Sequence, residues 1–364
     1  MRVKLKDITK FSKGTQINGK NLIDDGAYSY LNGGINPSGK WNEFNVAENT
    51  VTISEGGNSS GYVNYMSKAF WCGAHCYYLY DGPKNSKYLY YALKSQQERL
   101  FRIRSGACMP NIKKSDLGNF IIEYEEDETR QEEVVKVLEK CELLIEDYNK
   151  KLALLDEAVR ARFVEMFGDP VDNPMNWKKR KLKDLVTEDC TISYGIVQTG
   201  EDQKEGVPVI RPIDIVNHIP KVVELKKTTE LISDRYKKTL LKGHELLITV
   251  RANIADTFIA DEEYKGCNVG RGIVPIRTQE DIIRLEFLKC LIDNKHLNDI
   301  LKSKAKGITL IQLNMEDLRN VELIIPPIDL QIDYLKYSRL IDKSRLHEQL
   351  SIEYIKLLLK DYYP

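Results

Sequence analysis

Two long stretches of this chain carry a helical hydrophobic period, and each follows a segment in which short β-branched runs alternate with polar turns. In the first stretch Val134, Leu138, Cys141, Ile145, Tyr148, Leu152, Leu155 and Val159 follow one another in alternating steps of four and three. That is a heptad seam, and it predicts a coiled-coil helix. Thr129 and Glu132 fit a capping box at its start, and Gly168 with Pro170 and Pro174 ends it. At about 1.5 Å per residue such a helix spans about 60 Å. The second stretch begins after Pro326 and Pro327 and extends to about Tyr362. Its apolar residues (Ile332, Leu335, Ile341, Leu346, Leu350, Tyr354, Leu357 and Leu358) form a poorer stripe, which Arg339, Asp342 and Arg345 interrupt. A helix with a long apolar seam needs a partner, so the two are expected to pair antiparallel within the chain.

The segments before the helices are related. KLKD at 4–7 recurs at 181–184, and GACMPNIKKSDLGNF (106–120) matches GITLIQLNMEDLRNV (307–321). In that match Gly106, Asp116, Leu117 and Asn119 pair with Gly307, Asp317, Leu318 and Asn320. Between these anchors only a rhythm is shared. TVTISEGGN (50–58) sits where ELLITVRAN (245–253) sits, each a short strand followed by a polar tip ending in Asn. CGAHCYYLY (72–80) corresponds loosely to GRGIVPIRT (270–278), and helical patterns follow near 86–105 and 281–305. The mixture predicts an α+β fold built as domain, helix, domain, helix, with the two domains at opposite ends of the paired helices. The boundaries fall at 1–122, 123–175, 176–325 and 326–364.

A chain of 364 residues with 42% hydrophobic content supports more than one core. No apolar run reaches the ~18 residues that span a bilayer, and MRVKLKDITKF at the start lacks the apolar centre of a signal peptide. The seven cysteines, at 72, 76, 108, 141, 190, 267 and 290, are odd in number and scattered, which predicts reduced thiols and a cytoplasmic home. The net charge is zero, which argues against a protein that grips nucleic acid by electrostatics alone.

Several stretches imitate catalytic or metal motifs. GINPSGKW (34–41) meets the phosphate-loop template except at Trp41, whose indole offers no ligand to a hard cation. The preceding GAYSYLNG is no hydrophobic strand, so the stretch is expected to be a loop displaying Lys40 and Trp41 rather than a nucleotide hydrolase site. CGAHC (72–76) supplies Cys72, His75 and Cys76 but no fourth ligand, so packed strand residues are expected and no metal. GCNVGRG (266–272) has the wrong spacing for a cofactor loop, and the acidic run EYEEDETRQEE (123–133) reads as a charged helix start. No methyltransferase or nuclease motif is present. The basic run WKKRKLK (177–183) could touch phosphate or simply be a solvated domain entry.

With ARFVEMFGDPVDNPMNWKKRKLKDL (161–185) joining the first helix to the second domain, the layout resembles the specificity subunit of type I restriction-modification systems. YSYLNGGINPSG (28–39), VTISEGGNSSGYVNY (51–65) and FWCGAHCYYL (70–79) resemble recurrent pieces of that family's target-recognition domains. The resemblance implies a fold of two target-recognition domains separated by an antiparallel coiled coil. It implies a non-catalytic chain that reads a bipartite site in double-stranded DNA. Modification (methyltransferase) and restriction (translocase and nuclease) subunits would dock on the helices. S-adenosylmethionine, ATP and Mg would belong to those partners, with no cofactor in this chain. Base readout favours Arg or Lys on guanine and Asn or Gln on adenine. The residues expected on the DNA-facing side are therefore Lys40, Trp41, Asn58, Ser59, Ser60 and His75 in the first domain. In the second they are Arg211, Arg251, Asn253 and Arg271. A coiled-coil adaptor with two protein-binding heads is the alternative reading.

Overall fold

The computed structural model describes residues 1–106, 108–215, 220–307 and 311–362. The matched stretch 307–321 therefore includes three positions, 308–310, that lie outside the described residues. The chain forms two compact units, Met1–Lys151 with His347–Pro364 and Leu152–Leu346.

The first unit opens with β1 (Arg2–Lys4), α1 (Leu5–Ile8), β2 (Lys10–Lys13), β3 (Tyr28–Leu31) and β4 (Gly39–Trp41). β5 (Thr50–Ser54), β6 (Val63–Met66), β7 (Phe70–Cys72) and β8 (Cys76–Tyr80) complete its sheets. Then come α2 (Ser86–Lys94), α3 (Gln97–Arg102), α4 (Lys114–Gly118), β9 (Ile121–Glu123) and the long α5 (Glu128–Phe167). The strand order is β2-β8-β5-β6 in one sheet and β4-β3-β7 in another, with β3 and β7 parallel. β1 pairs with β9, which joins the start of the domain to its end. β5, TVTIS, is rich in β-branched residues and sits inside its sheet, so Val51 and Ile53 are fully buried. The core gathers Leu5, Val63, Tyr77, Leu89, Leu93, Leu100, Ile112, Leu117 and Ile122.

The second unit repeats this plan. β10 (Lys179–Lys181), β11 (Val207–Ile210), α6 (Pro212–Ile215), β12 (Lys227–Thr228) and α7 (Glu230–Asp234) lead into β13 (Glu245–Thr249) and β14 (Thr257–Ala260). β15 (Asn268–Val269), β16 (Ile273–Ile276), α8 (Leu285–Asp293), α9 (Lys295–Ser303), α10 (Met315–Arg319), β17 (Glu322–Ile324) and α11 (Ile328–Tyr362) follow. Orders β14-β13-β16 and β12-β11-β15, the parallel pair β11–β15 and the closing pair β10–β17 mirror the first unit. The helical pattern expected over 281–305 is two helices, divided where Asn294 caps α9 by accepting from the His296 and Leu297 amides. One glycine per unit shows how closely the copies agree. A Cβ on Gly14 would lie 1.8 Å from the Cys72 carbonyl oxygen, and one on Gly195 would lie 1.8 Å from that of Val269.

The long helices meet within each unit. In the first, Leu138 of α5 packs with Leu359 of α11 and Tyr91 of α2. In the second, the rings of Phe163 and Phe167 lie 5.5 and 5.6 Å from that of Tyr334. The early part of one helix therefore meets the late part of the other, which is an antiparallel pairing. All eight heptad positions of α5, Val134 through Val159, are buried or half-buried. Its start differs from expectation. Asp127, not Thr129, is the cap, accepting from the Thr129 and Arg130 amides at 2.9 and 3.4 Å.

For α11 Ile332, Leu335 and Ile341 of the expected stripe are shielded, and the rest of it is corrected. Leu346, Leu350, Tyr354, Leu357 and Leu358 lie on the outside. A shielded seam runs through Tyr334, Ser338, Ile341, Arg345, Glu348, Ile352, Ile355 and Leu359, which again alternate in steps of four and three. Three of these are polar. Arg345 sits in the seam because its guanidinium reaches Asp156 at 2.6 Å and Asp342 at 2.7 Å while its stem packs.

Candidate nucleic-acid interface

In each unit four connections converge at one end of the sheets. In the first unit they are the β3–β4 connection, the β5–β6 loop, the tight β7–β8 turn and the strand-like residue Asn111. The Glu55 amide donates to the His75 carbonyl at 2.9 Å, and the Ile112 amide donates to the Glu55 carbonyl at 2.9 Å. The hydroxyls of Ser54 and Ser59 both donate to the Gly33 carbonyl. Gly33 has a left-handed φ of 83°, and a Cβ there would lie 2.3 Å from the His75 carbonyl oxygen. Only glycine allows the β3–β4 connection to come this close to the β7–β8 turn.

The candidates of the first unit divide. Asn58 and His75 are exposed on this tip, and Ser59 is half-exposed. His75 Nδ1 lies 3.6 Å from a Glu55 oxygen, and Lys13 also pairs with Glu55. The Asn58 carbonyl accepts from Arg104, whose guanidinium stacks on Phe101 with 4.5 Å to the ring centroid. Ser60 departs from expectation. It is fully buried, and its hydroxyl donates to the Glu55 carbonyl at 2.6 Å, so it holds the loop closed from within. Lys40 and Trp41 also differ from the expected loop, because they lie in edge strand β4, opposite Ser29 and Tyr28. Lys40 is exposed there, and Trp41 packs edge-on against Trp71 with centroids 6.4 Å apart.

The second unit uses the same frame. The Val250 amide donates to the Gly272 carbonyl at 2.7 Å, and the Leu313 amide donates to the Val250 carbonyl at 2.9 Å. The Gly270 amide reaches the Ile210 carbonyl at 2.8 Å, and the Arg271 amide reaches that of Ile196 at 2.7 Å. This brings Arg211, Arg251 and Arg271 around the 270–272 turn. A Cβ on Gly272 would lie 3.0 Å from the Arg251 Cβ and 3.1 Å from a Pro212 ring carbon. The three arginines are held differently. Arg211 spends its fork on Asp214, with Nε at 3.0 Å and Nη2 at 2.8 Å. Arg251 donates from Nε to the Gln312 side-chain oxygen at 2.6 Å. Arg271 is exposed and has no side-chain partner among the described residues. Asn253 is exposed, and its carbonyl accepts from the Thr249 hydroxyl.

Gln312, Asn111, Glu55 and Arg104 are tip residues that reading the sequence missed. A signal for two of them was present. Asn111 and Gln312 occupy the same place in GACMPNIKK and GITLIQLNM.

In CGAHC the two cysteines are packed side chains, whereas His75 is exposed. Cys72 and Cys76 are buried, and hydrogen bonding with Cys76, together with burial, pushes the Cys72 thiol far above its ordinary range. Among the described residues the only His, Cys, Asp or Glu trio with ligand atoms within 4.8 Å is Asp169, Asp172 and His296. It is partly exposed, and Asp169 already accepts from the Val171 and Asp172 amides and meets His296. In WKKRKLK, Trp177 donates to the Phe167 carbonyl at 3.0 Å and seals the end of α5, while Lys179–Lys181 forms β10. No described helix is long and apolar enough to cross a membrane.

A family model described as the type I restriction modification DNA specificity domain matches residues 1–156 and 174–353. The chain belongs to this family, and the two matches account for most of its length. Among its relatives, a type I specificity subunit of Mycoplasma pneumoniae is 34% identical over 197 residues, 53% of this chain and 51% of that one. The EcoBI type I restriction enzyme specificity subunit of Escherichia coli is 23% identical over 222 residues, 60% and 47% of the two chains. The chain thus spans about half the length of the curated relatives it matches. Among solved structures, the S subunit of a type I restriction-modification system from M. genitalium superposes with a TM-score of 0.65 at 19% identity, covering 100% of this chain and 96% of that one. A chain from work on complex assembly and conformational transition of a type I system gives 0.61 at 16%, with the same coverage. At these identities the likeness is one of fold.

Proposed function

We propose that this chain is the non-catalytic specificity subunit of a type I restriction-modification complex, acting on cytoplasmic DNA, with each unit reading one half of a bipartite site through its tip. The observation that carries the reading is the family match to both units together with the duplicated tip. Lys40, Trp41, Asn58, Ser59, His75, Arg211, Arg251, Asn253 and Arg271 are the side chains through which such contacts would run. A net charge of zero fits a division of labour in which partner subunits supply much of the phosphate grip and this chain supplies base readout.

The long helices are the docking surface for modification and restriction subunits. In the first unit Leu143, Leu144, Leu350, Tyr354 and Leu357 are exposed on them, more apolar surface than a solvated helix pair needs. Methyl transfer with S-adenosylmethionine, and ATP- and Mg-dependent translocation, belong to those partners. The test is genomic. Methylated positions are mapped in the source cell and in a strain lacking this gene. A bipartite motif should vanish with the gene; an unchanged methylation pattern would favour a protein-binding adaptor.

A further inference from the structure

We propose that Arg251 is the guanine-reading residue of the second unit and that Gln312 is its positioning residue, so that this unit's half-site contains a G·C pair. The inference rests on the reading above and adds the base and the residues that choose it.

The geometry separates Arg251 from its neighbours. Arg211 has committed Nε and Nη2 to Asp214, so its charge is already neutralised by a carboxylate that would compete with a base for it. Arg271 is exposed and unheld, so ordering it on a base costs rotamer freedom. Arg251 is half-exposed and braced at three points. Its Nε is tied to Gln312 at 2.6 Å. Its stem lies against Gly272, the residue without a side chain, where an added Cβ would come within 3.0 Å of the Arg251 Cβ and 3.5 Å of its Cδ. Its backbone bridges that of Gln312, and the next residue, Ala252, turns the chain with a left-handed φ of 61°.

With Nε occupied, the two terminal nitrogens stay free of acceptors among the described residues. Their parallel N–H groups match O6 and N7 of guanine in the major groove. Gln312 fixes the plane of the fork before DNA arrives, which lowers the ordering cost of binding. The first unit has no such device at the corresponding place, because Gly56 stands opposite Asn111.

The test uses the full chain co-expressed with the modification subunit of the same source cell, on a plasmid library randomised across the bipartite site. Methylation is read by sequencing. Arg251→Ala and Gln312→Ala should each relax selection at the same guanine position of one half-site by roughly tenfold. The other half-site should be unchanged, which also reports that the chain folds and assembles. Gln312→Glu keeps an acceptor for Nε and should retain the guanine preference. Arg251→Lys covers the case in which the alanine variant fails to fold, and it should relax the same position, because lysine has neither the planar fork nor the Nε that Gln312 holds. A purely structural role would lower methylation evenly at every position. That result, unchanged selection, or relaxation at a position that is not guanine would overturn the proposal. If the unaltered chain yields no bipartite motif at all, the functional reading itself fails.

Discussion

The two tips share a backbone and differ in what they display. Amides of Glu55 and Val250 reach equivalent turn carbonyls, His75 and Gly272, and amides of Ile112 and Leu313 close the other side. Upon that frame the first unit places small hydroxyls, an imidazole and an asparagine, whereas the second places three arginines. The contrast continues into the central strands. β5 begins at Thr50, whose hydroxyl bonds the nearby Ala47 carbonyl. β13 begins at Glu245, which is fully buried and accepts from the amides of Lys242, Gly243 and His244 at 2.7, 3.0 and 3.0 Å. It also takes Arg277 at 3.1 Å. Main-chain bonds do not depend on side-chain identity, so the frame can be kept while the displayed side chains and even the core chemistry change.

The largest effect that would sharpen this contrast is at those strand starts. Glu245→Ala leaves three amides unpaired and Arg277 with Asp189 alone, and should cost about 3–5 kcal/mol in urea denaturation. Thr50→Ala should cost under about 1 kcal/mol. If the two cost the same, the cores are not differently built. Gly14→Ala and Gly195→Ala probe the shared frame. Each puts a Cβ 1.8 Å from a carbonyl oxygen, and each should destabilise its unit by about 3 kcal/mol. Unequal losses would break the equivalence of the two frames.

Smaller effects divide the first tip. Ser60→Ala removes a buried hydroxyl bond and should cost about 1 kcal/mol, read as a shift in denaturation midpoint. Asn58→Ala should leave that midpoint unchanged and act only on DNA selectivity. The smallest effect concerns acid. Hydrogen bonds from Lys242 and Thr187, with Arg277 nearby, hold the Asp189 carboxyl well below its usual range. A depressed carboxylate stabilises the fold above its unfolded value of about 4, and the contribution disappears as the pH falls through the folded value. Asp189 is half-exposed, so Asp189→Asn should cost less than about 1 kcal/mol at pH 7 and almost nothing in strong acid.

Much of the architecture was legible along the chain. The heptad seam of α5, its C-terminal end, the start of α11 and the anchors of the repeat all depend on neighbours three or four residues apart, or on short strings that recur. Burial of one helical face imposes such a period locally, so it can be read without knowing the partner. The buried face of α11 could not be read this way. Counting apolar residues favoured Leu346, Leu350 and Tyr354, but Asp156 on another helix let Arg345 take the seam and left the leucines outside.

The candidate site followed the same division. Its loops were found because polar tips follow β-branched strands, a pattern of composition and spacing. Which tip residues are available was settled only by partners remote in sequence or by closure of the loop itself. Gln312 holds Arg251, Asp214 takes one edge of the Arg211 guanidinium, and the Glu55 carbonyl draws Ser60 inward. The sequence by itself determined the repeat, the long helices and the family, because these are periodic or recurrent. Tertiary structure decided which polar groups are already satisfied, because a hydrogen bond depends on where two atoms meet in space, whatever their separation along the chain.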